Sequence, residues 1–272
     1  MWALFKTEVK RAACNPLFLV VFLVANLIGV YQIMSSVIPS LAMQGARPDV
    51  YPLSVFNSWI GGEGHTLGAT LYFFLLPLLV CVPFSDSLFM DLKTGYVKNL
   101  LIRTKRRNYY FGKLGALFVV GASIAAVPLL LNFLVTTTLA PYLTPEPSAG
   151  TFPLFASALW ADLFYSHPTV YVGLYLGLIG LFGGLLAALP LVFTSILSNR
   201  FMVLLSTFVV CVALNFLTAS GSFFEKISPI QFLRPDQPYT HNNHWLIISM
   251  FLILFLTIII YAMMKARSDE LN

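Results

Sequence analysis

Charge is what this sequence has little of. Only 10% of its 272 residues are Asp, Glu, Lys or Arg, while 58% are hydrophobic and the mean hydropathy is +0.82. Soluble domains carry about 25% charged residues. A water-soluble fold of this composition would expose large apolar patches, so an integral membrane protein is expected instead.

Cysteine is scarce too. Cys14, Cys81 and Cys211 stand alone, with no C-x-x-C pair and no Cys/His cluster. That argues against a zinc site and against a disulfide framework. Cys81 and Cys211 lie in apolar runs, where cysteine acts as a small hydrophobe. Internal repeats and low-complexity linkers are missing as well, so one domain over residues 1–272 is expected. The net charge of +5 and pI near 9.1 do not imply a nucleic-acid partner. Excess Lys and Arg in cytoplasmic loops gives membrane proteins the same balance, and no span-free stretch is long enough for a nucleic-acid-binding domain.

Six runs reach the roughly 20 apolar residues that a membrane span needs. They cover about Leu17–Ile38, Leu67–Ser85, Leu114–Ala140, Val170–Leu197, Phe201–Ala219 and Trp245–Met264. The first is too long for a signal peptide and lacks a small-x-small cleavage site, so it reads as an uncleaved span.

None of the six runs contains Asp, Glu, Lys, Arg or His. Proton pumps and ion-coupled carriers usually hold an ionisable group at membrane depth. Sodium-coupled carriers can use carbonyls and hydroxyls, so the absence weighs against that class without removing it. Intramembrane proteases need Ser–His, paired Asp or a metal within the spans. Here His65, His167, His241 and His244 fall between spans, and Asp86 and Asp162 lie at or beyond span ends.

The polar residues inside the spans are uncharged: Asn26, Gln32, Asn132, Thr136 to Thr138, Thr194, Ser195 and Asn215. Interhelical hydrogen bonding is the first reading for them. Gly173, Gly177, Gly180 and Gly184 form small-xxx-small pairs, which point to close packing within one bundle ahead of a dimer seam. Pro77, Pro83, Pro128 and Pro190 are expected to kink their helices. "GGEGHT", Gly61 to Thr66, lacks the Lys-Ser/Thr ending and the strand-to-helix setting of a phosphate loop, so it reads as a turn. The chain therefore shows no nucleotide site and no energy source of its own.

Orientation follows from the basic residues. With both termini cytoplasmic, 13 of the 16 Lys and Arg lie inside, leaving Arg47, Lys226 and Arg234 outside. This satisfies the positive-inside rule, and the reverse orientation violates it. The outer segments Pro39–Thr66, Pro141–Thr169 and Ser220–His244 are too short for a separate domain.

Two cytoplasmic stretches then stand out. Residues 1–16, "MWALFKTEVKRAACNP", place Trp2, Phe5, Val9, Ala12 and Ala13 on one helical face, bordered by Lys6 and Lys10, with Arg11 on the far side. This is the pattern of an amphipathic interfacial helix, one that anchors in the membrane or also meets a cytoplasmic partner. The second stretch is "DLKTGYVKNLLIRTKRRNYYFGK", Asp91 to Lys113, within a cytoplasmic loop over residues 86–113. Lys93, Lys98, Arg103, Lys105, Arg106, Arg107 and Lys113 crowd into it. Tyr96 and Leu100, with Val97 and Leu101 one step on, suggest a short helix with a loose apolar side. A solvated loop has no need of Leu100, Leu101 and Ile102, so the stretch reads as a docking surface.

This loop resembles the first cytoplasmic loop of type 2 ABC transporter permeases. Those proteins show an acidic residue, a Gly four positions later, a Leu pair, a basic turn and an aromatic-x-Gly-Lys-Leu run into the third span. The matching residues are Asp91, Gly95, Leu100 with Leu101, Arg106 with Arg107, and Tyr110 to Leu114. Asp91 stands where the family more often has Glu, and Thr94-Gly95-Tyr96 replaces a frequent Gly-Thr pair. "SPIQFLRP", Ser228 to Pro235, is similar to the family's segment before the last span.

The resemblance implies an all-α membrane protein with six transmembrane helices, an N-terminal interfacial helix around Trp2, Phe5 and Val9, and a cytoplasmic coupling helix. It implies a permease subunit of an ATP-driven exporter in a bacterial plasma membrane, not itself an enzyme. A second permease subunit, homologous or identical, would complete the path. A separate ABC ATPase subunit would bind ATP and magnesium, with no cofactor in this chain. Asp91, Gly95, Tyr96, Leu100, Leu101, Arg103, Arg106 and Arg107 would form the ATPase-coupling surface, with Lys and Arg also facing lipid phosphates. The charge-free spans suit an amphipathic or apolar cargo such as a peptide, drug or lipid-linked molecule. The competing readings are an ion-coupled secondary carrier and a membrane scaffold or sensor.

Overall fold

The computed structural model describes residues 2–46, 53–62, 66–145, 154–155, 158–217, 227–237 and 243–268. Arg47, His65, Lys226, His241 and the centre of the GGEGHT turn lie outside them.

All regular structure among the described residues is helical. Apolar runs of this length must satisfy their backbone N–H and C=O groups internally, and a helix does so within each segment. α1 is Trp2–Ala13 and α2 is Pro16–Gln32, which continues through a π-turn at Ile33–Val37 into α3, Ile38–Ala46. Asn15 separates α1 from α2, its side chain accepting from the Leu17 N–H while Pro16 opens the new helix. α4 is Val55–Ser58, α5 Leu67–Cys81, α6 Ser87–Lys93, α7 Tyr96–Leu101 and α8 Arg106–Leu139. α9 is Ala161–Ser166, α10 Pro168–Ala188, α11 Pro190–Phe193, α12 Arg200–Leu217, α13 Pro229–Phe232 and α14 His244–Ser268.

Among the described residues, five helical segments are long and apolar enough to cross a membrane: Pro16–Gly45, Arg106–Leu139, Pro168–Phe193, Arg200–Leu217 and His244–Arg267. The chain is thus an all-α, multi-pass membrane protein. The sixth run expected from the sequence, Leu67–Ser85, is instead the 15-residue α5. Thr66 caps its start by accepting from the Ala69 N–H, and Pro83, which has no N–H to donate, breaks the ladder after Val82, itself still helical with its N–H on Leu78 O (3.1 Å). These two limits leave α5 about 22 Å long against a hydrocarbon core of about 30 Å. α5 nevertheless lies antiparallel to α2. Asn15 Nδ2 donates to Pro83 O (2.6 Å) at one end. At the other, Gly68 lies so close to Gln32 that a Cβ on it would sit 2.5 Å from Gln32 Cβ.

α8 is the axis of the bundle and packs against α1, α2, α5, α10 and α14. Its 34 residues make a rod of about 51 Å. Arg106–Lys113, expected as loop, form its first two turns, so the basic turn shrinks to Ile102–Lys105. α8 crosses α10 where Gly121 and Gly183 meet. A Cβ on Gly121 would come 2.6 Å from Gly183 O and 2.4 Å from Ala187 Cβ. On α10, Gly184 packs on the Phe118 ring and Gly180 near Ala126, whereas Gly173 and Gly177 meet open space. The close packing expected for this glycine row therefore holds for its second half.

The buried polar residues join helices, as expected for them. Asn132 donates to Gly29 O (3.2 Å) and Gln32 Oε1 (3.3 Å), and accepts from the Ile60 N–H (3.0 Å). Gln32 donates to Ser58 O (2.7 Å). Two apolar clusters fill the interior. The larger is built on Trp59, Tyr72, Phe133, Tyr175 and Phe182. The smaller lies at the basic end, on Phe84, Leu88, Val97, Tyr109, Leu117 and Ala262.

The glycine crossing predicts a sharp asymmetry. Gly121→Leu should cost about 1–3 kcal/mol through overpacking, whereas Gly177→Ala, which fills empty space, should be neutral or slightly stabilising. Thermal unfolding of the two variants in one detergent measures the difference.

Candidate functional site

The loop between α5 and α8 is a helix–turn–helix. Thr94 ends α6, and Gly95 reverses the chain with φ +73°. That left-handed conformation costs a side-chain-bearing residue energy, which explains the glycine. α7 then runs to Leu101, and the turn at Ile102–Lys105 delivers the chain to α8.

Four charges and one phenol fix this loop. Asp91, on α6, is 2% exposed. It accepts from Arg11 on α1 (3.0 and 3.4 Å), from the Tyr109 hydroxyl (2.7 Å) and from Lys113 on α8. Lys113 is 1% exposed, as is Glu8 on α1. Lys113 Nζ lies 3.3 Å from Glu8 Oε2, and Arg11 donates to Glu8 Oε1 at 3.0 Å. Two acids thus face two bases, and the cluster is neutral. Burying a single ion costs several kcal/mol, and only a matched, hydrogen-bonded set offsets that cost. Aromatic rings close the sides. Arg11 Cζ lies 4.9 Å from the Tyr96 ring centroid, and Lys113 Nζ 5.4 Å from that of Phe84.

The pKa pattern agrees. Burial alone would raise the Asp91 carboxyl. The Arg11 hydrogen bond, the Lys113 charge and hydrogen bond, and the Tyr109 hydroxyl outweigh it and hold the carboxyl below its ordinary value. Burial likewise opposes the Arg11 charge, but Asp91 and Glu8 overcome it and raise that group. A second ion pair joins Arg200, at the start of α12, to buried Asp86 just before α6. Among the described residues no group of three or more His, Cys, Asp or Glu gathers. The two buried carboxylates of the cluster already face cations.

The residues expected to form a docking surface divide into two sets. Asp91 faces inward onto Arg11, so its contacts are internal, while half-buried Tyr96 meets Arg11 with its ring and also borders the outer groove. Leu100 and Leu101 are half-buried against the smaller apolar cluster, beneath which Val97 is fully packed. Ile102, at 84%, is the apolar side chain the loop exposes most. It joins Arg103, Asn99, Thr104, Tyr96 and Leu100 around a groove of about 580 Å³. Arg106 is half-buried, and Arg107 is exposed over the Phe111 ring.

α1 differs from the expected interfacial helix in the face it buries. Glu8 and Ala12 turn inward, Phe5 and Val9 are half-buried, and Ala13 is exposed. The helix fits against α8 because Gly112 and Gly115 leave room for the Phe5 backbone and ring. Trp2, 66% exposed and stacked on Phe5, remains available to lipid. Arg11, read as lying on the far side, is the link to Asp91.

The pairing of Glu8 and Arg11 with the loop was not foreseen. Its only sequence signal is one acid and one base three residues apart on an otherwise apolar-faced helix. No protein-family model matches the chain, and no curated protein or solved structure is significantly similar to it.

Lys113→Met leaves two buried carboxylates with one cation. It should lower stability by roughly 3 kcal/mol and appear as a lower melting temperature. The pH dependence has a definite sign. The Asp91 carboxyl is depressed in the folded protein, so its contribution is full above the ordinary carboxylate pKa. It is lost only as the pH falls below about 4. Melting temperature against pH should show that decline in the native chain and lack this component in Asp91→Asn.

Proposed function

We propose that this chain is the transmembrane subunit of an ATP-driven exporter of the type 2 ABC permease kind, energised by a separate ATPase docked on the α6–α7 loop. The observation that carries the reading is the build of that loop. Its inner side is locked to α1 and α8 through Asp91, Arg11 and Lys113. Its outer side presents Ile102 and Arg103 beside a groove. A partner gripping that outer side moves α8 and α1 together, because the loop cannot yield alone. Rigid displacement of packed elements is how such bundles switch.

The proposed topology has six crossings, with α5 as the second. Although short, α5 runs between the same two levels as α2, and nine of its 15 residues are buried by neighbouring helices rather than left to lipid. Six crossings place both termini and 13 of 16 basic residues on one side, the cytoplasmic side of a bacterial plasma membrane. ATP and magnesium belong to the partner in this reading. The open row at Gly173 and Gly177 gives a second permease subunit a place for close helix approach. The cargo is amphipathic or apolar, an antimicrobial peptide being the favoured type, since the apolar runs of the spans hold no charge that would bind a small ion.

One observation favours an ion-coupled carrier, namely the buried Glu8–Lys113–Asp91 set. A coupling site must exchange its proton or ion during transport, whereas these charges satisfy one another and lie at the end of the bundle. Solute movement driven by a proton or sodium gradient without nucleotide would establish the carrier instead.

Ile102→Asp tests the docking role without disturbing the buried side of the loop. Capture of a purified candidate ABC ATPase by the chain should fall at least tenfold, about 1.4 kcal/mol, and vanadate-sensitive transport in vesicles should fall with it. Unchanged capture and transport would remove the reading.

A further inference from the structure

The second surface that α8 offers at the basic end is an apolar slot of about 320 Å³. Phe5 of α1 and Phe111, Leu114 and Phe118 of α8 form one side, and Phe255 and Ile259 of α14 face them. The volume lies at the small end of ligand pockets, roughly 300–1,000 Å³. It has room for a stretch of one hydrocarbon chain and not for a whole amphiphile.

Two cations stand on rings at or next to its wall. Arg107 Cζ lies 5.7 Å from the centroid of Phe111, one turn nearer the start of α8. Lys6 Nζ lies 5.3 Å from the centroid of Trp2, which stacks on Phe5 at 5.2 Å. Arg107 thus lies over a ring of the slot wall itself, Lys6 lies one ring further out, and the two come from different helices. α1 and α8 are close here, since a Cβ on Gly112 would sit 3.4 Å from the Phe5 nitrogen. Neither Lys6 nor Arg107 is paired with a carboxylate among the described residues. The nearest acid on α1, Glu8, is turned inward to Lys113 and Arg11. From the rim the wall runs deeper along α8 through Leu114, Phe118 and Val119 with almost no polar lining.

We infer that this slot binds one acyl chain of an anionic phospholipid, with the lipid phosphate held at the rim by Lys6 and Arg107. The order of features along α8, a cation first and then two turns of apolar wall, matches the order in an anionic lipid. Unopposed Lys and Arg at a membrane surface attract anionic headgroups, and the slot adds a site for the chain beneath them. The inference needs only that the helices lie in a membrane, and it stands apart from the transport reading.

The test uses the purified full chain, exchanged in detergent against phosphatidylglycerol or phosphatidylcholine and read by native mass spectrometry. Phosphatidylglycerol should be retained roughly tenfold over phosphatidylcholine. The double variant Lys6→Gln, Arg107→Gln should lose that preference, and Lys6→Arg with Arg107→Lys should keep it. Val119→Trp, which fills the slot from its exposed side, should lower retention of both lipids. Equal retention of the two lipids, or a preference unaffected by the glutamine variants, would overturn the assignment. So would glycerol phosphate binding as well as the lipid, which would leave a headgroup site without a chain. An apolar dye that binds where phosphatidylglycerol does not would reassign the slot to cargo.

Discussion

Everything at the basic end of this protein depends on a neutral set of four charges, three of them buried and the fourth, Arg11, partly exposed. Glu8, Arg11, Asp91 and Lys113 come from α1, α6 and α8. α1 brings a matched pair, Glu8 with Arg11, but neither Asp91 of α6 nor Lys113 of α8 could be buried alone, because an unmatched ion in that position costs several kcal/mol. Each element is therefore held in place by the other two. α6 and α7, with seven and six residues, are far too short to be stable helices by themselves. Their position comes from Asp91 at one end and from Val97 packed beneath the pair.

The rest of the bundle obeys the complementary constraint, that lipid-facing backbone must satisfy itself and polar side chains must find partners inside. Asn132 does so by joining α8 to α2 and to the residues after α4. Tyr72 donates to Ala125 O (2.9 Å) and ties α5 to α8. Ser85 donates to Ala187 O (2.7 Å) and ties the end of α5 to α10. The Gly121–Gly183 crossing lets α8 and α10 approach until backbone meets backbone.

Much of this was legible in the sequence, and the unread part has a common cause. Hydropathy runs mark five membrane helices because lipid imposes a length and a composition on each segment separately. The short helix at Tyr96–Leu101 follows from the spacing of Tyr96 and Leu100, whereas the chain reversal at Gly95, which splits it from α6, was not read. Leu67–Cys81 came out shorter than its apolar run only at its C-terminal end, because Pro83 has no N–H to carry the ladder on and a hydropathy window is blind to that. Asp91 was visible as an acidic residue in a basic loop, but its partners were not. Arg11 is 80 residues away, and nothing local distinguishes an acid that faces a partner protein from one that faces its own chain. The Gly121–Gly183 contact was missed for the same reason: it is a pair between helices, while the visible repeat at Gly173 to Gly184 lies along one.

The first turns of α8 serve two sites at once. Tyr109 and Lys113, four residues apart, point into the ion cluster. Phe111, Leu114, Gly115 and Phe118 line the apolar slot. α1 likewise gives Glu8 and Arg11 to the cluster and Phe5 to the slot. A ligand in the slot and a partner on the loop would therefore act on the same two helices, and neither could shift them without altering the other's site. Coupling of this kind is reciprocal in free energy. If lipid in the slot favours one placement of α1 against α8, a partner that favours the same placement binds better when the lipid is present. The lipid is then held more tightly by the same factor. Such a device needs no ionisable group at membrane depth, which is consistent with a bundle whose charges are gathered at its ends.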